Sequence, residues 1–437
     1  MNKLIPIIML AVMLLMLCVS WKNVISYNED VKAEYNQHIE SAESLMKKEI
    51  YIDAVKEYEA ALKLQPDNYD IAMTIVSLYE KLEKTGSYAE ACQKAIEADP
   101  KQKEPYILLT DYYISDSSYR KAYFLLIDAQ KQFGNDEDIV SRLVTIKGNY
   151  AITTPDRFPV KRIAYPDKSK TGYMTIESDG KYGLADSGNT TVINCEYDDI
   201  GLLSNDLVSV KKNGEYYYVD SEGYRKLVPD QPADYLGTFG SGYAPASFDG
   251  KYGYVDEKLK QYHMEYDFAG CFAKDVAPVQ KDGKWAIIDD SFENITDYVF
   301  DEILMDDYNY CSSYGAFFAK QNGMYALYSL DGKKISDDFE DARIFESKEP
   351  AAVKKDGKWG FVSIDGKIAV NPCYDDAGSV CIGYAPALIK GKWGAVDLSG
   401  NVLIEPAFEK FDSFMPNGYA LVEKDSIKEF IAVNIYE

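Results

Sequence analysis

A four-residue hairpin signature, glycine followed by a basic or polar residue, an aromatic and a small residue, recurs seven times in this 437-residue chain. The copies start at Gly180, Gly214, Gly250, Gly283, Gly323, Gly357 and Gly391, a nearly constant step with one longer interval between Gly283 and Gly323. A step of this size restricts the chain to a repeat architecture, in which each unit packs on its neighbours instead of building its own core. Six of the seven glycines follow Asp or Asn (Asp179, Asn213, Asp249, Asp282, Asn322 and Asp356). Such pairs tolerate the positive φ angles of a tight two-residue turn. The returning strand alternates as in Trp359-Gly360-Phe361-Val362, and a third strand follows, of the type Asn401-Val402-Leu403-Ile404-Glu405-Pro406. Each unit then ends on an aromatic beside an acid, as in Tyr197-Asp198, Tyr266-Asp267, Phe300-Asp301 and Tyr374-Asp375.

This plan resembles the WG-repeat (KWG-repeat) family from about residue 161 to the end of the chain, with departures at Tyr217 and Met324. The resemblance implies a repeat-built, non-catalytic domain. Its equivalent aromatics, Tyr182, Tyr216, Tyr252, Trp285, Tyr325, Trp359 and Trp393, are expected to fill the gap between units rather than stack on a ligand. A final hairpin around Gly418-Tyr419-Ala420 and Phe430-Ile431-Ala432 lacks its later strands, whereas Ile163-Ala164-Tyr165-Pro166-Asp167 reads as late strands without a hairpin. Complementary half-units are what a closed ring needs, so the expectation is a β-propeller of about eight small blades, with an open β-solenoid as the alternative.

Ahead of this region the apolar spacing is helical. Small residues and tyrosines alternate through Tyr51, Ala54, Tyr58 and Ala61, then Tyr79, Tyr88, Ala91 and Ala95, then Tyr106, Tyr113, Ala122 and Ala129. The pattern resembles the tetratricopeptide repeat family, a solenoid of stacked helix pairs. The second copy reads with a longer turn and a shorter second helix than that family's pattern. Residues 136–147, with Ile139, Leu143 and Ile146 on one stripe, are expected to form a capping helix. The resemblance places Asn36, Ile39, Glu43, Met73, Ser77, Ile107 and Asp111 along a peptide groove. None of these is Lys or Arg, so an apolar or weakly basic peptide is expected.

Residues 4–21 are uncharged and mostly apolar, long enough as a helix to cross a bilayer core, and no small-residue cleavage site follows. The expectation is a single-pass N-terminal transmembrane helix that attaches the chain to the membrane, with the bulk of the chain extracytoplasmic. The α + β multidomain organisation is then an anchor with its juxtamembrane segment (1–34), tetratricopeptide-like repeats with a cap (35–150) and a WG-type β domain (151–437).

The formal charge, 47 − 71 = −24, opposes binding to a phosphate backbone, so nucleic acid is not an expected partner. Two histidines, His38 and His263, and seven cysteines without C-x-x-C spacing leave little material for a zinc site or a catalytic triad. No catalytic, metal or cofactor residue is therefore expected. Adjacent acids at Asp198-Asp199, Asp289-Asp290, Asp306-Asp307, Asp337-Asp338 and Asp375-Asp376 read as turn caps. Together these features lead to the expectation of a membrane-tethered, non-catalytic scaffold or adaptor for protein or peptide partners at the bacterial cell envelope. A cell-wall glycan-binding module and a carboxylate-dependent hydrolase are the rivals. Recognition is expected where the copies differ, first in the long interval that carries Asp306, Asp307, Tyr308, Asn309 and Tyr310.

Overall fold

A computed structural model describes residues 29–153, 158–159, 173–186 and 190–433. The chain divides into two compact units, Met1–Ile146 and Lys147–Glu437. Helix α1 covers residues 29–47 of the described chain. It is followed by α2 (Tyr51–Leu64), α3 (Tyr69–Lys81), α4 (Thr85–Ala98), α5 (Glu104–Ser115), α6 (Tyr119–Phe133) and α7 (Glu137–Lys147).

The helices pack in sequence because their small residues recur in register. Ala61 on α2, Ala95 on α4 and Ala129 on α6 follow one another at a constant interval and are fully buried, so neighbouring helices approach closely there. Tyrosines fill the adjoining space, with Tyr58 and Tyr106 buried. Local chemistry sets the helix ends. The Asn68 side chain accepts from the Ile71 amide to cap α3, Pro105 sits in the first turn of α5, and Gly134 ends α6 at a φ of 70°. The stripe Ile139, Leu143 and Ile146 is the buried face of α7. One expectation needs correcting: the second helix of the second pair is not short. α4 has 14 residues, as α2 does, and tolerates Gly86 in its first turn.

The expected anchor at residues 4–21 lies outside the described residues. Among the described residues no helix is long and apolar enough to cross a membrane. Each of α2 to α7 buries one stripe and carries charged residues on the rest of its surface, the pattern of a helix packed in a protein. The single-pass, extracytoplasmic placement expected from the sequence is corrected accordingly, because the described helices supply no span to carry it.

The second unit is an eight-bladed β-propeller. Blade 7 shows the complete plan: a two-residue first strand (Asp376–Ala377), a hairpin (Ala385–Ile389 and Lys392–Val396) and an outer strand (Val402–Phe408), all antiparallel in that order. The first strands of blades 1 to 6 are Phe158–Pro159, Asp199–Ile200, Tyr235–Leu236, Phe268–Ala269, Glu302–Ile303 and Asp341–Ala342, and that of blade 8 is Lys410–Phe411. Blade 8 completes itself with a strand from the other end of the unit. Tyr150–Thr153 pairs antiparallel with the last strand, Ile427–Val433, in the register Tyr150↔Val433. This pairing closes the ring and removes the open solenoid. Complementary half-units were legible in the sequence, but the closing strand is not the segment expected: Ile163 to Asp167 lie outside the described residues, and Tyr150–Thr153 takes that place in the sheet.

The seven signature glycines all have φ between 72° and 86°, and the residue before each has φ between 49° and 54°. Both central residues of every turn are therefore left-handed, the geometry that matches strand twist in a two-residue hairpin. An eighth turn of the same kind is made by Asp425 and Ser426, at 53° and 64°, without glycine.

The small residue after the aromatic has a separate cause. In blades 1, 3, 6 and 7 it is Gly183, Gly253, Gly360 and Gly394, and at each the outer strand shifts register directly across from it. A Cβ at Gly360 would stand 2.5 Å from the Val370 carbonyl oxygen, and one at Gly394 would stand 2.4 Å from that of Ile404. In blades 4 and 5 the position is Ala286 or Ala326, and the outer strand is reduced to isolated bridges, Trp285↔Phe300 with Ile288↔Asn294 and Tyr325↔Phe339 with Tyr328↔Lys334. Glycine is present where the bulge lies directly across from this position and absent in blades 4 and 5, where no continuous outer strand forms; in blade 2 the short outer strand pairs only with Tyr218 and Val219, and Tyr217 takes the position.

Candidate functional site

The equivalent aromatics lie between blades. Tyr216 of blade 2 meets Tyr235 in the first strand of blade 3 at 5.8 Å between ring centroids, and Tyr252 of blade 3 meets Phe268 in the first strand of blade 4 at 5.1 Å. Further contacts, Tyr235 with Tyr252 and Phe268 with Trp285, make this row of rings continuous across three blades. Where the next partner is not aromatic, polar groups meet the ring. Arg343 lies 4.7 Å from the Trp359 ring and donates to Asp376 at 2.8 Å, and the Tyr325 hydroxyl donates to Glu302 at 2.7 Å.

The acid that follows each unit's last aromatic joins one blade to the next. Its side chain accepts from the signature lysine of its own blade, as in Lys251 with Asp267 (3.0 Å), Lys284 with Asp301 (2.5 Å), Lys358 with Asp375 (2.5 Å) and Lys392 with Glu409 (2.6 Å). Lys181 and Asp198 form the same pair. The second carboxylate oxygen accepts a backbone N–H in the hairpin turn of the following blade, from Asn213 to Asp198, from Asp282 to Asp267 and from Asp425 to Glu409. These lysine hydrogen bonds hold Asp198, Asp267, Asp301 and Glu409 below the ordinary carboxylate range.

The other paired acids have comparable structural work. Asp289 accepts from the amides of Ser291 and Glu293 and so forms the turn into the outer segment. Asp337 and Asp338 pair with Lys355 and Lys334. The regular spacing from each signature lysine to its acid was visible in the sequence, and it is the signal that would have revealed the connection between blades.

The long interval between Gly283 and Gly323 is a plug. Its segment leaves the first strand of blade 5 and crosses the ring. Tyr308 Oη donates to Thr175 Oγ1 of blade 1 at 2.9 Å, and Asn309 Nδ2 donates to Tyr235 Oη of blade 3 at 2.9 Å. The Asn309 carbonyl accepts from the Cys271 amide of blade 4. Tyr308 and Tyr310 pack with Leu202, Cys271 and Ala273 into a small core contributed by blades 2, 4 and 5. Blades 1 and 5 face each other in an eight-blade ring, so the segment lies across the axis.

Asp306 organises the plug by accepting from the Tyr308 and Tyr310 amides, each at 2.9 Å, the same turn that Asp289 makes at the surface. Here it is buried. Its other oxygen meets no hydrogen-bond partner among the described residues, and burial pushes its carboxyl up to about 7. A cavity of about 20 Å³, room for one water, adjoins it beside Tyr310 and Ser313. Of the five residues singled out in this segment, Asp306, Tyr308 and Tyr310 are buried, whereas Asp307 is exposed and Asn309 half-buried.

In the helical unit, Asn36, Ile39 and Glu43 lie on α1, Met73 and Ser77 on α3, and Ile107 and Asp111 on α5. Ile39, Met73 and Ile107 recur at the repeat interval and are half-buried, and Glu43, Ser77 and Asp111 keep the same interval and are exposed. Equivalent positions on equivalent helices form a row across the array. Sequence reasoning missed Arg142 at its end: the cap α7 directs this guanidinium onto Asp111 through two hydrogen bonds of 2.7 Å.

The family described as WG containing repeat matches the chain at residues 182–216, 262–285, 359–393 and 393–426, so the β unit carries WG repeats. No curated protein matches the chain significantly. Solved structures similar to the N-terminal region are tetratricopeptide domains. The Sgt2 domain of Aspergillus fumigatus is 20% identical over 25% of this chain and 74% of that one, with a TM-score of 0.21. The TPR2B domain of yeast Sti1, in a complex with an Hsp70 peptide, is 22% identical over 25% and 93%, with a TM-score of 0.21. The Yersinia enterocolitica secretion chaperone SycD, in complex with a peptide of the translocator YopD, is 15% identical over 25% and 88%, also at 0.21.

Proposed function

We propose that the chain is a non-catalytic scaffold for protein-protein interaction, and that its helical unit holds a peptide along α1, α3 and α5. The observation that carries this reading is the register of the row. Ile39, Met73 and Ile107 recur once per repeat and remain only half-buried, while Ile75 and Leu109, on the same helices as Met73 and Ile107, are buried. Half-buried apolar side chains at a fixed interval suit an extended or helical peptide that places a side chain against each repeat. The row's charge is acidic at Glu43, and the guanidinium of Arg142 is already committed to Asp111. An apolar or weakly basic peptide therefore fits better than a carboxylate terminus.

The rivals find less support. A glycan platform needs its equivalent rings in the open, and Tyr216, Tyr252, Trp285, Tyr325 and Trp359 are engaged by neighbouring side chains. A two-carboxylate hydrolase needs a pair of acids facing each other across a bond, and the adjacent acids each commit at least one member to a turn or a blade contact.

The test is photo-crosslinking from a reactive side chain placed at Ser77, in parallel with Ile39→Glu and Ile107→Glu variants of the full chain. The expected outcome is a discrete set of crosslinked partners that both variants lose. Recovery of the same set with the apolar row disrupted would remove the groove.

A further inference from the structure

We infer that the mouth of the propeller beside blades 1 to 3 is a binding pocket for a cationic amine or guanidinium carried on a stem about one side chain long. The pocket has a volume of about 340 Å³, at the lower end for small-ligand sites. Its walls are the first strands of blades 2 and 3 and the hairpin of blade 1, and the plug from blade 5 forms the remaining side. No single repeat builds it. It exists because the plug carries Asp307 and Asn309 to the opposite side of the ring.

Among the described residues the charge of the lining is of one sign: Asp199 and Asp307 are its charged members, with no Lys, Arg or His beside them. Asp199 is held in place, one oxygen accepting from the Tyr216 hydroxyl at 2.8 Å and the other from the Ile200 amide at 2.9 Å. Lys211 stands opposite Asp199 across the strand pair, but its ammonium lies over the Tyr216 ring and it does not line the pocket. The rings of Tyr182 and Tyr235 belong to the wall, and the plug fixes the second of them through Asn309. Carboxylates beside tyrosine faces attract a cation both by charge and through the ring quadrupole.

Ser209 also lines the pocket, and a polar group entering from outside the chain can meet its hydroxyl there, although the residue as a whole is 3% exposed. Room for that group depends on Gly201, where a Cβ would stand 2.2 Å from Ser209 Oγ and 2.8 Å from Thr238 Oγ1.

The cation has two possible sources, a basic side chain of a partner protein or a free small amine. The test is titration calorimetry of the full chain with agmatine, with the tripeptide acetyl-Gly-Arg-Gly-amide, and with its neutral citrulline counterpart. The expected result is saturable binding of at least one guanidinium probe, no binding of the citrulline peptide, and a loss of about five-fold or more in affinity for Asp307→Asn. Asp199→Asn keeps an acceptor for Tyr216 and should weaken the same probe; should that variant fail to fold, the exposed Asp307 carries the test alone. A tripeptide that binds about ten-fold tighter than agmatine assigns the source to a partner's side chain, and equal affinities assign it to a free amine. Absence of saturable binding by both guanidinium probes, equal binding of the citrulline peptide, or unchanged affinity in Asp307→Asn overturns the pocket. The site does not depend on the helical groove, so the crosslinking experiment can fail while this one succeeds.

Discussion

Gly394→Ala should destabilise the propeller for a purely steric reason. The added Cβ would stand 2.4 Å from the Ile404 carbonyl oxygen, 2.9 Å from the Pro406 nitrogen and 3.1 Å from the Glu405 carbonyl carbon. All three are backbone atoms of the bulged outer strand, which cannot rotate aside as a side chain can. Ordinary contact begins near 3.4 Å, so the strand must retreat by about 1 Å (3.4 − 2.4), against its pairing of Trp393 with Phe408 and Ala395 with Ile404. Overpacking of this kind costs about 1–3 kcal/mol. The φ at this glycine is not positive, so no left-handed strain is added, and the stiffer unfolded chain returns about 0.4–1 kcal/mol. The net expectation is a loss of about 1.3 kcal/mol, the difference between the midpoints of those two effects. Urea unfolding of the full chain followed by tryptophan fluorescence measures it, because Trp285, Trp359 and Trp393 all lie in the β unit. Ala286→Gly is the comparator. No continuous outer strand crosses that position, so alanine already fits and its removal should also cost stability. A Gly394→Ala protein as stable as the parent, or more stable, would refute the link between glycine and bulge.

Asp306→Asn should stabilise the β unit at pH 8. A carboxyl raised to about 7 by burial contributes its stability fully below the unfolded value near 4 and loses it as pH rises through 7, on the order of a few kcal/mol. Melting temperature against pH should therefore fall between about pH 4 and 7 in the parent and flatten in the variant; parallel profiles would remove the argument. Glu409→Gln tests the opposite limb. Glu409 lies below the ordinary carboxylate range because of Lys392, so its contribution is present above the unfolded value and is lost as pH falls through the folded one. The variant's acid limb should be shallower than the parent's, and an unchanged limb counts against the contact between blades 7 and 8. Lys390→Asn should raise stability by about 0.5–1 kcal/mol, since Lys390 holds a φ of 52° where the other copies have Asp or Asn. A lower melting temperature would show that the lysine has a compensating role.

The hairpins were legible because their turns impose a local demand. Two consecutive left-handed residues favour Asp or Asn followed by Gly whatever lies around them, and Lys390 alone departs from that pair among the seven turns. The repeat register of the helices was legible for a similar reason, since Ala61, Ala95 and Ala129 must be small for the helices to meet. The plug was not. Asp306-Asp307-Tyr308-Asn309-Tyr310 has the composition of an exposed loop, and its burial depends on Thr175 and Tyr235, partners far away in the chain. The closing strand was misplaced because Tyr150–Thr153 is four residues long and its edge pairing leaves most of it exposed, so it lacks the alternation that marks other strands. Arg142 escaped notice because it comes from the cap, outside the repeat positions carried over to the groove.

The closure of blade 8 also governs the order in which the ring can be made. Tyr150 pairs with Val433, so the two strands of this contact stand at opposite ends of the propeller sequence. At ordinary synthesis rates of about 5–20 residues per second, the closing strand leaves the ribosome roughly 15–55 s before its partner exists. During that time it is an unpaired edge, and seven blades accumulate without a closed ring to hold them. The helical unit, whose contacts join neighbouring helices, can fold during the same interval. Completion of the propeller therefore waits on its last strand, and a ribosome stalled short of Ile427 would leave a ring that cannot shut.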